Sequence, residues 1–255
     1  MKAAPAPDMG SIPPQRNDAL EQSAGASKRV AVMQPYFFPY AGYFRLMLEA
    51  DEFVIFDCVQ FPRRGRVHRC EVPGPRGTID WLTLPLARQP REVLIRDLTF
   101  SDNARSELDA RLARLPWVRS AKGPCADRIR DFLFRPLVSV IDYLGAGLKL
   151  VAELLDLEVT ISRSSDLDID PDLRGQARVI AVAKAVAATG YVNSPGGLGL
   201  YEMEAFACNG LRLSFLPEYT GQFFHLLPAL MTGSAASILD DIRKQCHPCG
   251  GEPGR

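Results

Sequence analysis

Between Lys28 and Phe56 the chain runs strand, proline-bounded turn, amphipathic segment and strand, an order that few folds can accept. Lys28-Arg29-Val30-Ala31-Val32-Met33 is a short apolar run stopped by Gln34-Pro35, as expected of a central strand followed by a turn. From Tyr40 to Ala50, Tyr43, Leu46, Met47 and Ala50 fall at three- and four-residue steps, which predicts a helix with one buried face. Glu52-Phe53-Val54-Ile55-Phe56 then reads as a second buried strand. A helix joining two such runs predicts a βαβ unit with a parallel pair.

The same rhythm returns late in the chain. Glu158 to Ser162 reads as a strand, Gly175 to Ala188 as a helix, Gly190 to Asn193 as a strand, Tyr201 to Asn209 as a helix ended by Gly210, and Leu211 to Leu216 as the closing strand. Between the two βαβ regions, Pro73 to Gly77 separates two strand-like runs and predicts a hairpin within Val67 to Leu86. Ile95 to Phe100 is expected to be another strand, and Ala104 to Leu115, Asp127 to Phe134 and Pro136 to Leu155 to be helices. The fold class that follows is α/β: a single Rossmann-like domain with a mostly parallel sheet and a β-hairpin insertion. At 255 residues and 47% apolar content one sizeable core suffices. The domain is expected over residues 28–245, with an Ala-, Pro-, Ser- and Gly-rich tail at 1–27 and a second flexible tail at 246–255.

Thirty basic and thirty acidic residues cancel, so no long-range field favours nucleic acid or an anionic membrane as partner. No apolar run is long enough to span a bilayer and the start lacks a secretory pattern, which points to the cytoplasm. Six scattered cysteines in a chain of this size read as reduced thiols. Cys246-His247-Pro248-Cys249 has a spacing known from redox and zinc motifs, but it has no second ligand pair nearby in sequence, and no metal site is expected.

In an open parallel sheet, ligands bind outside the carboxyl ends of the strands, and three segments fall there. The first, Gln34 to Tyr43, carries Tyr36, Tyr40 and Tyr43 between two prolines, with Gly42 allowing close approach; its rings either line a pocket or cap the core. The second runs from Phe56 to Arg69. It combines a strand-end acid, the Cys58 thiol, His68 and the arginines 63, 64, 66 and 69, a set able to grip a phosphate or to supply a general base. The third joins Ser162 to Asp166, with Ser164 and Ser165, to the loop from Tyr191 through Asn193, Gly196 and Gly197 to Tyr201, which matches neither a Walker loop nor a dinucleotide fingerprint. Both outer segments follow strands and precede helices, so they are expected on one edge of the sheet, with Gln34, Asp57, Asn193 and Tyr201 facing one concavity.

Met33-Gln34-Pro35-Tyr36-Phe37-Phe38-Pro39-Tyr40-Ala41-Gly42-Tyr43-Phe44 resembles the opening signature of the WbqC-like proteins of bacterial surface-polysaccharide gene clusters. Asp57-Cys58-Val59-Gln60 with Arg64-Gly65 and Arg69, Ser164-Ser165, Gly175-Gln176-x-Arg178, and Tyr191 to Tyr201 are similar to its later blocks. Where that family usually has a second acid, an asparagine and a closing aspartate, this chain has Cys58, His68 and Pro228. A more distant likeness is to the nucleotidylyltransferase (HUP-like) superfamily, whose His-x-Gly-His motif would fall on Tyr40 to Tyr43. Neutral phenols there do not replace imidazolium groups on a transferring phosphate.

The resemblance implies an acyl- or aminoacyltransferase acting on an amino sugar or other amine in polysaccharide or specialised-metabolite assembly. Its partners would be a small-molecule substrate such as a nucleotide sugar and an acyl- or aminoacyl-carrier protein; it names no cofactor. Asp57, His68 and Cys58 are the candidate catalytic residues. Gln34, Tyr36, Tyr40, Gly42, Tyr43, Arg64, Arg69, Ser164, Ser165, Asn193, Gly196, Gly197 and Tyr201 are the candidate substrate contacts. A nucleotide-dependent ligase and a non-catalytic sugar-nucleotide-binding protein are the alternatives.

Overall fold

The computed structural model describes residues 27–74 and 77–246. The N-terminal tail through residue 26 and the His247 to Arg255 end lie outside the described residues. Strand β1 (Arg29–Met33), helix α1 (Ala41–Glu49) and strand β2 (Glu52–Ile55) form the expected unit, with Val30 opposite Glu52 and Met33 opposite Ile55 in a parallel ladder. The hairpin follows as β3 (Arg69–Pro73) and β4 (Ile79–Thr83), an antiparallel pair outside the main sheet. Helices α2 (Ala104–Leu112), α3 (Pro116–Ser120), α4 (Pro124–Phe134) and α5 (Val140–Leu154) lead to β5 (Thr160–Arg163). Then come α6 (Gly175–Ala185), β6 (Gly190–Asn193), α7 (Met203–Ala207), β7 (Arg212–Phe215), α8 (Leu226–Thr232) and α9 (Ala235–Lys244).

The sheet order is β5-β2-β1-β6-β7 and every pairing in it is parallel. Numbered by appearance within the sheet, this is 3-2-1-4-5, a doubly wound order with its switch point between β1 and β6. Side-chain alternation explains the two covered faces. Ala31, Phe53 and Ile55 point into the core that contains Phe44 and Met47 of α1 and Leu144 of α5, whereas Val30, Val32 and Val54 pack with Val179 and Val182 of α6 and Phe206 of α7. Helices α1 and α7 therefore leave the two strands at the switch point toward opposite faces.

Two expectations fail locally. Ile95 to Phe100 is not a strand: Ile95–Asp97 is a 3-10 turn, because Asp97 and Leu98 donate back to the Leu94 and Ile95 carbonyls instead of to a ladder. Only single bridges remain, Gln60 to Leu94 and Leu86 to Phe100. The chain also does not close with β7. Helices α8 and α9 follow, and their Leu226, Leu227, Leu230, Ile238 and Ile242 complete the core on the α1 face.

Candidate active site

Because all five strands run the same way, the turns after β1, β2, β5 and β6 share one edge. The turn after β2 is held by a pairing across to β5. Asp57 is fully buried, and its carboxylate accepts from Ser164 Oγ at 2.8 Å, the Ser165 backbone N–H at 3.0 Å and Ser165 Oγ at 2.7 Å. Ser164 Oγ in turn accepts from the backbone N–H groups of Asp57 and Cys58, at 3.1 and 3.3 Å. A carboxylate without water needs such donors, and here two adjacent serines supply them. Asp57 thus fixes the geometry of the turn and of Ser164-Ser165.

A cavity of about 520 Å³ opens beside this clamp, lined by Phe56, Cys58, Ser165, Arg96, Arg174 and Arg178 among others. Its size is in the usual range for small-molecule sites. The half-buried Cys58 places its Sγ 3.6 Å from Arg96 Nη1. Arg178 lines the cavity too. Its guanidinium donates to four carbonyls: Cys58 at 3.2 Å, Leu173 at 2.9 Å, Asp170 at 3.2 Å and Pro171 at 3.0 Å. With those bonds made it is a brace between the Cys58 turn and the start of α6. Gly175 opens that helix at φ +53°, a conformation that favours glycine.

The other candidates occupy different places. Tyr43 is buried and donates to the Gln34 carbonyl at 2.8 Å, and burial raises its phenol well above the ordinary range. Tyr36 packs on Tyr43, with ring centroids 5.5 Å apart, while Tyr40 lies between Tyr219 and Phe224. Burial raises Tyr36 and Tyr40 as well, so all three are neutral phenols. Gly42 leaves room for rings: a Cβ there would sit 2.3 Å from Tyr40 and 2.7 Å from Tyr219 Cβ.

Across the switch point, Asn193 is buried and accepts from the Ser194 N–H at 2.8 Å; a Cβ on Gly197 would fall 2.3 Å from its Nδ2. Gly196 is exposed, and Tyr201 packs edge-on against Tyr191 and Phe206. The arginine run divides. Arg69 donates to the Arg64 and Gly65 carbonyls and lies 4.2 Å over the Trp81 ring, joined there by Arg66, while Arg64 is exposed.

The Gln34 to Tyr43 and Asn193 to Tyr201 segments thus share one edge, flanking the switch point, but the Cys58 cavity lies beyond β2, and Gln34 and Asn193 do not line it. Of the three candidate catalytic residues only Cys58 lines that cavity. His68 lines a different one, together with Arg63, and Asp57 is enclosed. Arg96 and Arg178 were absent from the expected site residues. Arg178 stands in the Gly175-Gln176-x-Arg178 block, whereas nothing in sequence marks Arg96. Among the described residues no group of side chains is arranged to hold a metal ion, and His247 and Cys249 of the Cys-x-x-Cys segment lie outside them. No helix of the described residues is long and apolar enough to cross a membrane.

Residues 34–227 match the profile of the WbqC-like protein family. The chain belongs to that family. This WbqC-like protein is also similar to Rv1507c, an uncharacterized protein of Mycobacterium tuberculosis, at 26% identity over 211 residues, covering 76% of this chain and 84% of the relative. No solved structure matches it. The family match extends from the Gln34 turn to Leu227 of α8, so it takes in the Asp57 clamp, the Cys58 cavity and both switch-point loops.

Proposed function

We propose that this WbqC-like protein is a transferase that attaches an acyl or aminoacyl group to the amine of an amino sugar or related small molecule, in polysaccharide or specialised-metabolite assembly. The observation that carries this reading is the Cys58 thiol on the wall of the 520 Å³ cavity with the Arg96 guanidinium 3.6 Å from its sulfur. Reactive cysteines occupy partly exposed surroundings near cations, whereas structural ones are enclosed like Cys70. In the proposed cycle Cys58 sulfur attacks the carbonyl of a donor thioester and expels the donor thiol. The amine then attacks the Cys58 thioester, the C–S bond breaks, an amide forms and the thiol is restored. Asp57 acts as a positioning residue, holding Ser165 and the Cys58 turn in place. A carrier protein presenting the donor and a nucleotide sugar presenting the amine suit a cavity open at the sheet edge.

The test is intact-mass measurement after incubation with acetyl-coenzyme A, with and without a hexosamine. One acetyl adduct on Cys58, discharged by the amine and absent in Cys58→Ser, is expected. Amide formation undiminished in Cys58→Ser would remove the thiol from the scheme.

The 3-2-1-4-5 strand order supports a second reading, a nucleotide-dependent ligase or nucleotidylyltransferase-like enzyme with its nucleotide at the β1/β6 switch point. That reading requires pyrophosphate release from ATP or CTP in the presence of an acid substrate. A non-catalytic sugar-nucleotide binder would instead show melting shifts without turnover.

A further inference from the structure

The Cys58 cavity is lined by Arg96, Arg174 and Arg178, and other arginines gather elsewhere. Arg63 from the turn after β2, Arg88 from the stretch after β4 and Arg111 from α2 line a second cavity of about 340 Å³, together with His68. We propose that this cavity is a separate binding site for a small molecule bearing a phosphate group.

The lining holds three guanidinium groups against one carboxylate, Glu107, which Arg111 Nη2 already pairs at 2.7 Å. Two positive charges are left over, and a phosphate monoester near neutral pH carries about −1.5 to −2. Two of the guanidinium groups are held by backbone. Arg63 Nη2 donates to the Gln89 carbonyl at 2.6 Å and Arg111 Nη1 to that of Thr83 at 2.5 Å, leaving the remaining N–H groups of each for a ligand. Arg88 is exposed and has no ion-pair partner among the described residues. Planar guanidinium groups lining one cavity suit the oxygens of phosphate, which accept paired charge-assisted bonds.

His68 also lines this cavity. Its Nδ1 is buried with no hydrogen-bond partner among the described residues, while its ring packs edge-on against Phe61 with centroids 5.0 Å apart. Burial, Arg69 and Arg111 lower the imidazole to about 4, so it is neutral at pH 7 and can donate one proton to an anion. Leu84, Pro85 and Leu86 add an apolar wall for the rest of the molecule.

The two cavities stand back to back. Gln60 Nε2 bonds the Arg91 carbonyl at 2.8 Å and the Phe61 N–H bonds that of Val93 at 2.9 Å, making a two-segment partition. Cys58, Gln60 and Glu92 face one side and Phe61, Arg63 and Gln89 the other. The anion site therefore stands on its own residues, whatever the chemistry at Cys58.

The experiment is NMR titration of the full chain with pyrophosphate, and with citrate as a carboxylate control at equal ionic strength, reading the His68 ring signals assigned through His68→Gln. Pyrophosphate should shift them saturably and raise the His68 midpoint above about 4. Arg63→Gln and Arg88→Gln, both on exposed side chains, should each weaken binding about tenfold, and Cys58→Ser should leave it unchanged. No saturable shift at millimolar pyrophosphate, equal affinity for citrate, or full binding by the Arg63→Gln, Arg88→Gln double variant would overturn the proposal. An acyl adduct on Cys58 is read separately, so either idea can fail alone.

Discussion

Asp57 and Ser165, 108 positions apart, meet twice: the Ser165 N–H and Oγ donate to the two carboxylate oxygens of Asp57 at 3.0 and 2.7 Å. Hydrogen bonds to a charged group contribute about 1.5–3 kcal/mol each. Ser165→Ala should therefore lower the unfolding free energy by about 1.5–3 kcal/mol. Asp57→Asn, which puts an amide donor where one carboxylate oxygen accepts a serine hydroxyl, should cost at least as much. Urea melts of both single variants and the double should show coupling of about 0.5–3 kcal/mol, because the two residues share one network. Additive losses would show that the clamp is not a unit.

Asp57 could be read as a strand-end acid, since four apolar residues precede it, but its partners could not. Ser164 and Ser165 reach it only because β5 pairs with β2, a long-range choice that local periodicity does not encode. His68 lines a different cavity from Cys58 for a related reason. It follows Asp57 closely in sequence, yet the Gly65 N–H to Pro62 carbonyl turn at 2.7 Å sends the chain into the hairpin and carries the imidazole to the other cavity. Helix α8 was hidden by Pro228, which sits in its first turn, where the missing N–H costs nothing. The βαβ units were legible because buried parallel strands are continuous apolar runs, as at Val30 to Met33 and Phe53 to Ile55.

Two adjacent glycines should respond differently to the same methyl group. Gly197→Ala would push a Cβ against Asn193 Nδ2 and should cost about 1–3 kcal/mol, as overpacking does. Gly196→Ala meets only Ser194 Oγ at 4.0 Å and should change stability by less than about 0.5 kcal/mol. Thermal melts of the pair decide this; equal effects would mean that Gly197 is not placed by Asn193.

The Gly42 contact makes a parallel case on the other side of the switch point. An alanine Cβ would be 2.6 Å from Tyr219 Cγ and 2.3 Å from the Tyr40 ring. Gly42→Ala should destabilise by about 1–3 kcal/mol. Pairing it with Tyr40→Ala, which removes one of the two obstructing rings, should give less than the summed loss of the single variants.

His68 should leave a pH signature with a definite sign. Its ordinary value of 6.5 falls to about 4 in the folded protein, so the unfolded chain binds the proton more readily. Its contribution favours the fold fully above pH 6.5 and is lost progressively as pH falls toward 4. His68→Gln should flatten the fall in melting temperature over that interval while leaving the value at pH 8 little changed. A wild-type profile and a variant profile that run parallel from pH 7 to 4 would reject the assignment.

Arg178 ties the Cys58 turn to the entrance of α6, and the strength of that tie depends on guanidinium geometry. Its three nitrogens reach the carbonyls of Cys58, Asp170, Pro171 and Leu173, and the side chain is 8% exposed. An ammonium keeps the charge but cannot spread donors over that span, so Arg178→Lys leaves buried carbonyls unpaired. The expected loss is about 2–3 kcal/mol in urea melts. The same substitution should speed amide hydrogen exchange in residues 170–176 and in the Cys58 turn together, while β6 and β7 keep their protection. If the two segments loosen independently, or if Arg178→Lys melts like the wild type, the brace does not shape the Cys58 cavity, and its walls are held by the Asp57 clamp alone.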